Sequence, residues 1–107
     1  MWKENLKKYD ALVDECPRFE RKGKTMPYTS ANGYMFSLLN KDGEFGIRFS
    51  KEVQQEYIQK LNSELFMSYG AVMKGYVRIP EEHFNNTELM IQLLNESFDY
   101  VMSLDPK

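Results

Sequence analysis

Two strand patterns joined by a tight turn, approached through a second turn, constrain this chain more than any other feature. Asn32-Gly33 is followed by Tyr34-Met35-Phe36-Ser37-Leu38-Leu39-Asn40, then Asp42-Gly43, then Glu44-Phe45-Gly46-Ile47-Arg48-Phe49. Asn-Gly and Asp-Gly are turn dipeptides because both residues tolerate positive φ. The second run alternates, so Phe45, Ile47 and Phe49 share one face and Glu44, Gly46 and Arg48 the other. The first run is apolar at nearly every position, which predicts a strand covered on both faces.

Helical spacing brackets these strands. Trp2, Leu6, Tyr9 and Val13 form one amphipathic stripe, and Pro17 stops that helix by pushing the residue before it out of helical geometry. Ser50 is an N-cap in type, and Val53, Tyr57 and Leu61 form the buried stripe of a second helix ending near Asn62. Leu89, Met90, Leu93, Leu94, Phe98, Val101 and Met102 form the broad apolar face of a third. Its cap is Asn85 or Asn86; with Asn85, Glu88 takes the capping-box position. Three further strands are expected: Thr25 to Thr29, with Pro27 confining it to an edge; Leu65 to Tyr69; and Val72 to Ile79 after the Gly70 turn. Pro80-Glu81-Glu82 opens a short helical turn.

The element order is α-β-β-β-α-β-β-α. It predicts one two-layer α+β domain over residues 1–107, a five-stranded antiparallel sheet with its helices on one face. The expected core is Phe36, Leu38, Phe45, Ile47, Phe49, Val53, Tyr57, Leu61, Val77, Leu93, Leu94 and Phe98. No apolar run approaches the ~20 residues of a membrane span. The start MWKENLKKYD is too polar for a signal peptide, so a cytoplasmic protein without membrane contact is expected. The single cysteine, Cys16, allows no internal disulfide.

These motifs resemble the TfoX N-terminal domain family over roughly Lys24 to Ser103. The resemblance rests on Asn32-Gly33 with Tyr34-Met35-Phe36, on Gly43-Glu44-Phe45-Gly46-Ile47-Arg48-Phe49 leading into a helix, and on Leu65-Phe66-Met67-Ser68-Tyr69. It continues through Gly75-Tyr76-Val77-Arg78-Ile79-Pro80-Glu81-Glu82 and the closing helix. Where family members carry a Met-Phe-Gly-Gly-type segment, this chain reads Met26-Pro27-Tyr28-Thr29. The YjbR-like family has a similar size and layout. The TfoX resemblance implies a small domain with an antiparallel five-stranded sheet, associated by family name with regulation of natural competence. It implies no catalytic residues.

Chemistry-bearing patterns are sparse. Gly23-Lys24-Thr25 resembles the end of a phosphate-binding loop, but Arg18 stands where that loop needs glycine and Met26-Pro27 follows where it needs a helix. His83 is the only histidine and Cys16 is distant from it, too few donors for a zinc site, so His83 reads as an exposed residue of a helical turn. No catalytic group, cofactor or metal ligand is expected. Net charge is −2, against a nucleic-acid binder in bulk. The distribution is uneven: Arg18, Arg21, Lys22 and Lys24 form a basic segment, while six carboxylates and no cation lie between Glu81 and Asp105. The basic segment, or Arg48 and Arg78 on polar positions of their strands, are the candidate contacts for phosphate or a partner. An internal role is the third reading: Asp99 and Asp105 stand at the negative end of the last helix, and a cation from Arg18 to Lys24 would offset them. The leading expectation is a non-enzymatic regulatory module binding a protein partner, pairing edge strands as a homodimer. A nucleic-acid-binding domain and a small-ligand-binding domain are the alternatives.

Overall fold

A computed structural model describes residues 2–23, 26–68 and 70–107. The elements are α1 (Trp2–Asp14), β1 (Tyr28–Ala31), β2 (Tyr34–Leu39), β3 (Phe45–Arg48), α2 (Lys51–Lys60), β4 (Leu65–Ser68), β5 (Ala71–Ile79), a 3-10 turn (Glu81–His83) and α3 (Thr87–Met102). The five strands form one antiparallel sheet in the order β1-β2-β3-β5-β4, so the α+β architecture and the element order read from the sequence are those of the molecule.

Strand alternation sets which residues meet the helices. Phe45 and Ile47 on β3, Val77 and Ile79 on β5, and Leu39 on β2 lie on one face with Phe49. They pack with Tyr9, Leu12 and Val13 of α1, Tyr57 of α2 and Met90, Leu93 and Leu94 of α3 in a single core. Of the expected core, Val53 and Phe98 are half-buried and the rest are buried. Leu38 is buried on the opposite face, opposite Gly46. That face is not open. Phe66 lies over Gly46, where a Cβ would stand 2.7 Å from the ring, and joins Leu38 and Tyr76 in a second small cluster. Asn40, next after β2, donates from Nδ2 to the Met67 carbonyl of β4 at 3.2 Å. In a flat sheet those strands stand three spacings, about 14 Å, apart. The β4–β5 hairpin therefore folds back over the sheet. The fold-back coincides with a break in pairing between Leu65↔Val77 and Met67↔Val72, where Gly75 has φ +96°.

Local differences have simple causes. The first strand begins at Tyr28, not Thr25, which lies outside the described residues. Pro27 precedes it and takes part through its carbonyl, which accepts the Leu39 N–H at 2.9 Å and needs no donor of its own. The pairing slips between Thr29 and Ser30, leaving Phe36 of β2 without a counterpart. Phe36 and Ser37 then both meet the helices: Phe36 packs on Phe98 of α3, and the Ser37 hydroxyl bonds Tyr9 of α1 at 2.7 Å and Thr29. Asn86, not Asn85, caps α3, since its Oδ1 accepts the Leu89 N–H at 3.2 Å, and Glu88 therefore misses the capping-box position. Ser50 caps α2 as read.

The Asn32-Gly33 turn has a second use. Asn32 sits at φ 57°, and its Nδ2 donates to the Val101 and Leu104 carbonyls at 2.9 and 2.8 Å. The first hairpin thus satisfies the carbonyl end of α3. Replacement of Asn32 by glycine removes the bonds and keeps the backbone, whereas alanine removes both. Asn32→Ala should cost ~1 kcal/mol more than Asn32→Gly in urea unfolding, the left-handed penalty of a residue with a Cβ.

Candidate interaction site

Two arginines of the basic segment between α1 and β1 pair with carboxylates of the helices. Arg18 donates from Nη1 to Asp99 at 2.8 Å and from Nη2 to Asn95 Oδ1 at 2.8 Å, both on α3, and its guanidinium lies 4.4 Å over the Phe98 ring. The expected offset of the α3 negative end is therefore present, and Arg18 supplies it. Arg21 does not. It pairs with Asp10 of α1 at 2.8 Å and donates to the Gly23 carbonyl, and the Asp10 bond holds its pKa above the ordinary arginine value. Lys22 is exposed, and its backbone bridges the outer edge of β1 at Tyr28 with bonds of 2.8 and 2.9 Å. Lys24 lies outside the described residues, as does the Lys24-Thr25 part of the loop-like motif.

Arg48 and Arg78 share the face opposite the helices, because Arg48 pairs with Tyr76 and Arg78 with Gly46 across β3 and β5. Phe66 on Gly46 separates them. Arg78 borders a shallow hollow with Glu44, Glu64, Leu65 and Met67. Arg48 stands among tyrosines, 5.3 Å from the centre of the Tyr34 ring and 6.0 Å from that of Tyr100. The five of these basic residues that are described, Arg18, Arg21, Lys22, Arg48 and Arg78, therefore form no continuous track.

The remaining reactive types are accounted for in the packing. Cys16 is buried after α1, its thiol donates to the Leu12 carbonyl at 3.4 Å, and desolvation pushes its pKa up despite Arg18. His83 closes the 3-10 turn half-buried, so it is less exposed than expected. The Tyr57 hydroxyl donates to Glu96 of α3, and burial followed by that bond drives its pKa upward. Burial does the same to Tyr9, opposed by the Ser37 and Thr29 hydroxyls, and to Tyr76, opposed by the charge of Arg48. Among the described residues no three His, Cys, Asp or Glu side chains gather as a metal would need, and no helix is long and apolar enough to cross a membrane. A hollow of about 240 Å³ between α1 and the start of α3, bordered by Lys8, Leu12, Glu15 and Phe84, falls below the ~300–1,000 Å³ of ligand pockets.

The surface feature that sequence reading missed is on the folded hairpin. Met67 and Val72 face one another across β4 and β5 and are 43% and 52% exposed. An apolar pair flanking the Gly70 turn was the available signal. Outside that pair, Met102 is the exposed large apolar side chain among the described residues. Comparison with protein-family models and with curated proteins returns no match to this chain.

Two measurements check the electrostatics. In a double-mutant cycle, Arg18 and Asp99 should couple by up to ~1 kcal/mol, because both are largely exposed and salt screens them, while Arg21 and Asp99 should show no coupling. All three shifted tyrosines have folded pKa values above the unfolded value near 10. Above that pH the unfolded chain binds fewer protons than the native one, so stability is full below about pH 10 and falls as pH rises beyond it. Tyr9→Phe should flatten that alkaline loss in denaturant melts.

Proposed function

We propose that this chain is a non-enzymatic protein-interaction module, a cytoplasmic regulatory domain of the TfoX N-terminal kind, that pairs with a second copy through the outer edge of β4. The exposed Met67–Val72 pair on the edge hairpin carries the reading. The sheet has two edges, β1 and β4. At β1 the Lys22 backbone already occupies the outer hydrogen-bonding groups of Tyr28. The outer side of β4 has no such strand beside it among the described residues; the Asn40 amide reaches the Met67 carbonyl as a side chain only. An unpaired edge carrying apolar side chains is a template for another strand. A TfoX-like layout, by resemblance, suits a domain that works through contacts of this kind.

The internal use of the charged groups favours binding over chemistry. Arg18 serves α3, Arg21 serves α1 and Tyr57 ties α2 to α3 through Glu96. The nucleic-acid alternative loses two of its cations to carboxylates in the same way.

Sedimentation equilibrium tests the pairing. The chain should shift from 12.7 kDa toward twice that mass as concentration rises. Met67→Lys with Val72→Lys should weaken self-association at least about tenfold, equivalent to 1.4 kcal/mol. Both sites are exposed, so the urea midpoint should barely move. A wild-type monomer at every concentration would sink the homodimer.

A further inference from the structure

The chain has four arginines, and three of them keep company with carboxylates. Arg18 pairs with Asp99, Arg21 with Asp10, and Arg78 shares its hollow with Glu44 and Glu64. Arg48 has no ion pair among the described residues. Its guanidinium carbon is 5.3 Å from the Tyr34 ring centre and 6.0 Å from that of Tyr100. Its stem passes beside Gly75, and the side chain is half-buried.

A guanidinium carries five N–H donors. Among the described residues the Tyr76 hydroxyl is the acceptor that meets them, and that hydroxyl spends its own proton on the Met35 carbonyl at 2.6 Å. The Tyr34 hydroxyl is likewise spent, on the Asp105 carbonyl at 2.7 Å. A second cation stands at the same ring: Lys107 Nζ is 5.5 Å from the Tyr34 centre. The nearby carbonyl end of α3 does not need these charges, because Asn32 already bonds Val101 and Leu104. What is left is a planar fork of donors, oriented by tyrosines, with an ammonium group at the same Tyr34 ring. That combination matches an oxyanion with at least two acceptor oxygens on one face.

We propose that Arg48 and Lys107, walled by Tyr34 and Tyr100, bind the terminal phosphate of a small-molecule phosphate monoester. Arg48 takes two phosphate oxygens through its fork, and Lys107 adds a point charge. One phosphate, not a nucleic-acid strand, is the fitting ligand. A strand needs cations spaced along its backbone. Arg18 and Arg21 are spent on carboxylates, and Phe66 separates Arg48 from Arg78. The site does not involve the β4 edge, so it stands apart from the pairing proposed above.

The test is titration of the full chain with inorganic phosphate and with a nucleoside monophosphate, following arginine Nε–H and tyrosine ring signals by NMR. Saturable shifts at Arg48, Tyr34 and Tyr100 are expected. Arg48→Gln should abolish them, Arg48→Lys should weaken binding about tenfold by losing the fork, and Arg18→Gln should bind as wild type. Affinity should rise as pH passes about 6, where the second phosphate proton leaves, while the arginine stays charged throughout. Thermal melts identify which variants fold; should Arg48→Gln fail to, Arg48→Lys and the wild-type pH profile decide. Shifts that track ionic strength without saturating, undiminished binding in Arg48→Lys, or binding of single-stranded oligonucleotide with none of phosphate would each overturn the proposal.

Discussion

The structure hangs on β3 being buried from both sides. Four residues long, it presents Phe45 and Ile47 to the three helices and offers Gly46 as bare backbone to Phe66 on the other face. Helix packing alone would leave half the strand's surface wet. The absence of a side chain at Gly46 lets the Phe66 ring settle on the backbone, and that contact draws the β4–β5 hairpin across the sheet. Burial of a phenylalanine ring is worth roughly 1.5–3 kcal/mol. The stabilisation falls where the pairing between β4 and β5 is interrupted, which is where the ladder itself contributes least.

Polar groups then orient what the apolar contacts gather. Tyr9, Ser37 and Thr29 link α1 to the first hairpin inside the core, where an unpaired hydroxyl would be costly. Asn5 reaches from α1 to the Gly43 carbonyl at 2.8 Å, which fixes the second turn against the same helix. Arg18 stacks on Phe98 and bonds Asn95 and Asp99, so the loop after α1 is held along α3. Each link joins segments far apart in the chain. Of the basic early stretch and the acidic late one, folding joins Arg18 to Asp99, while Arg21 turns to Asp10 and Lys22 stays exposed.

How much of this was legible in the residues varies with the range of the interaction. The alternation of Phe45, Ile47 and Phe49, the Ser50 cap and the paired turns are local signals, and they placed β2, β3 and α2 to within a residue or two. The cation for Asp99 was expected from the same segment that provides it, yet Arg18 and Arg21 could not be told apart, because helix phase and loop path decide which one reaches α3. The fold-back of β4 and β5 was not legible. It depends on Phe66 meeting Gly46 across two strands, and alternation reports which face a residue takes, not whether another strand will bend to cover it. Phe36 escaped its face for a related reason: the slip at Thr29 moves it to the helix side. At the candidate contacts, residue type identified Arg48 and Arg78 but not their surroundings, since the tyrosines around Arg48 come from β2, β5 and α3.

The bonds from Asn32 to Val101 and Leu104 span separations of 69 and 72 residues. A ribosome therefore releases the first hairpin long before its partners exist. While the chain is being made, the turn holds an unsatisfied amide and β1 and β2 lack the helix that covers them. Vectorial synthesis leaves this hairpin waiting, and completion of the domain is a late event set by the arrival of α3. Shortening the chain from that end would unsettle its opening strands before it disturbed its middle.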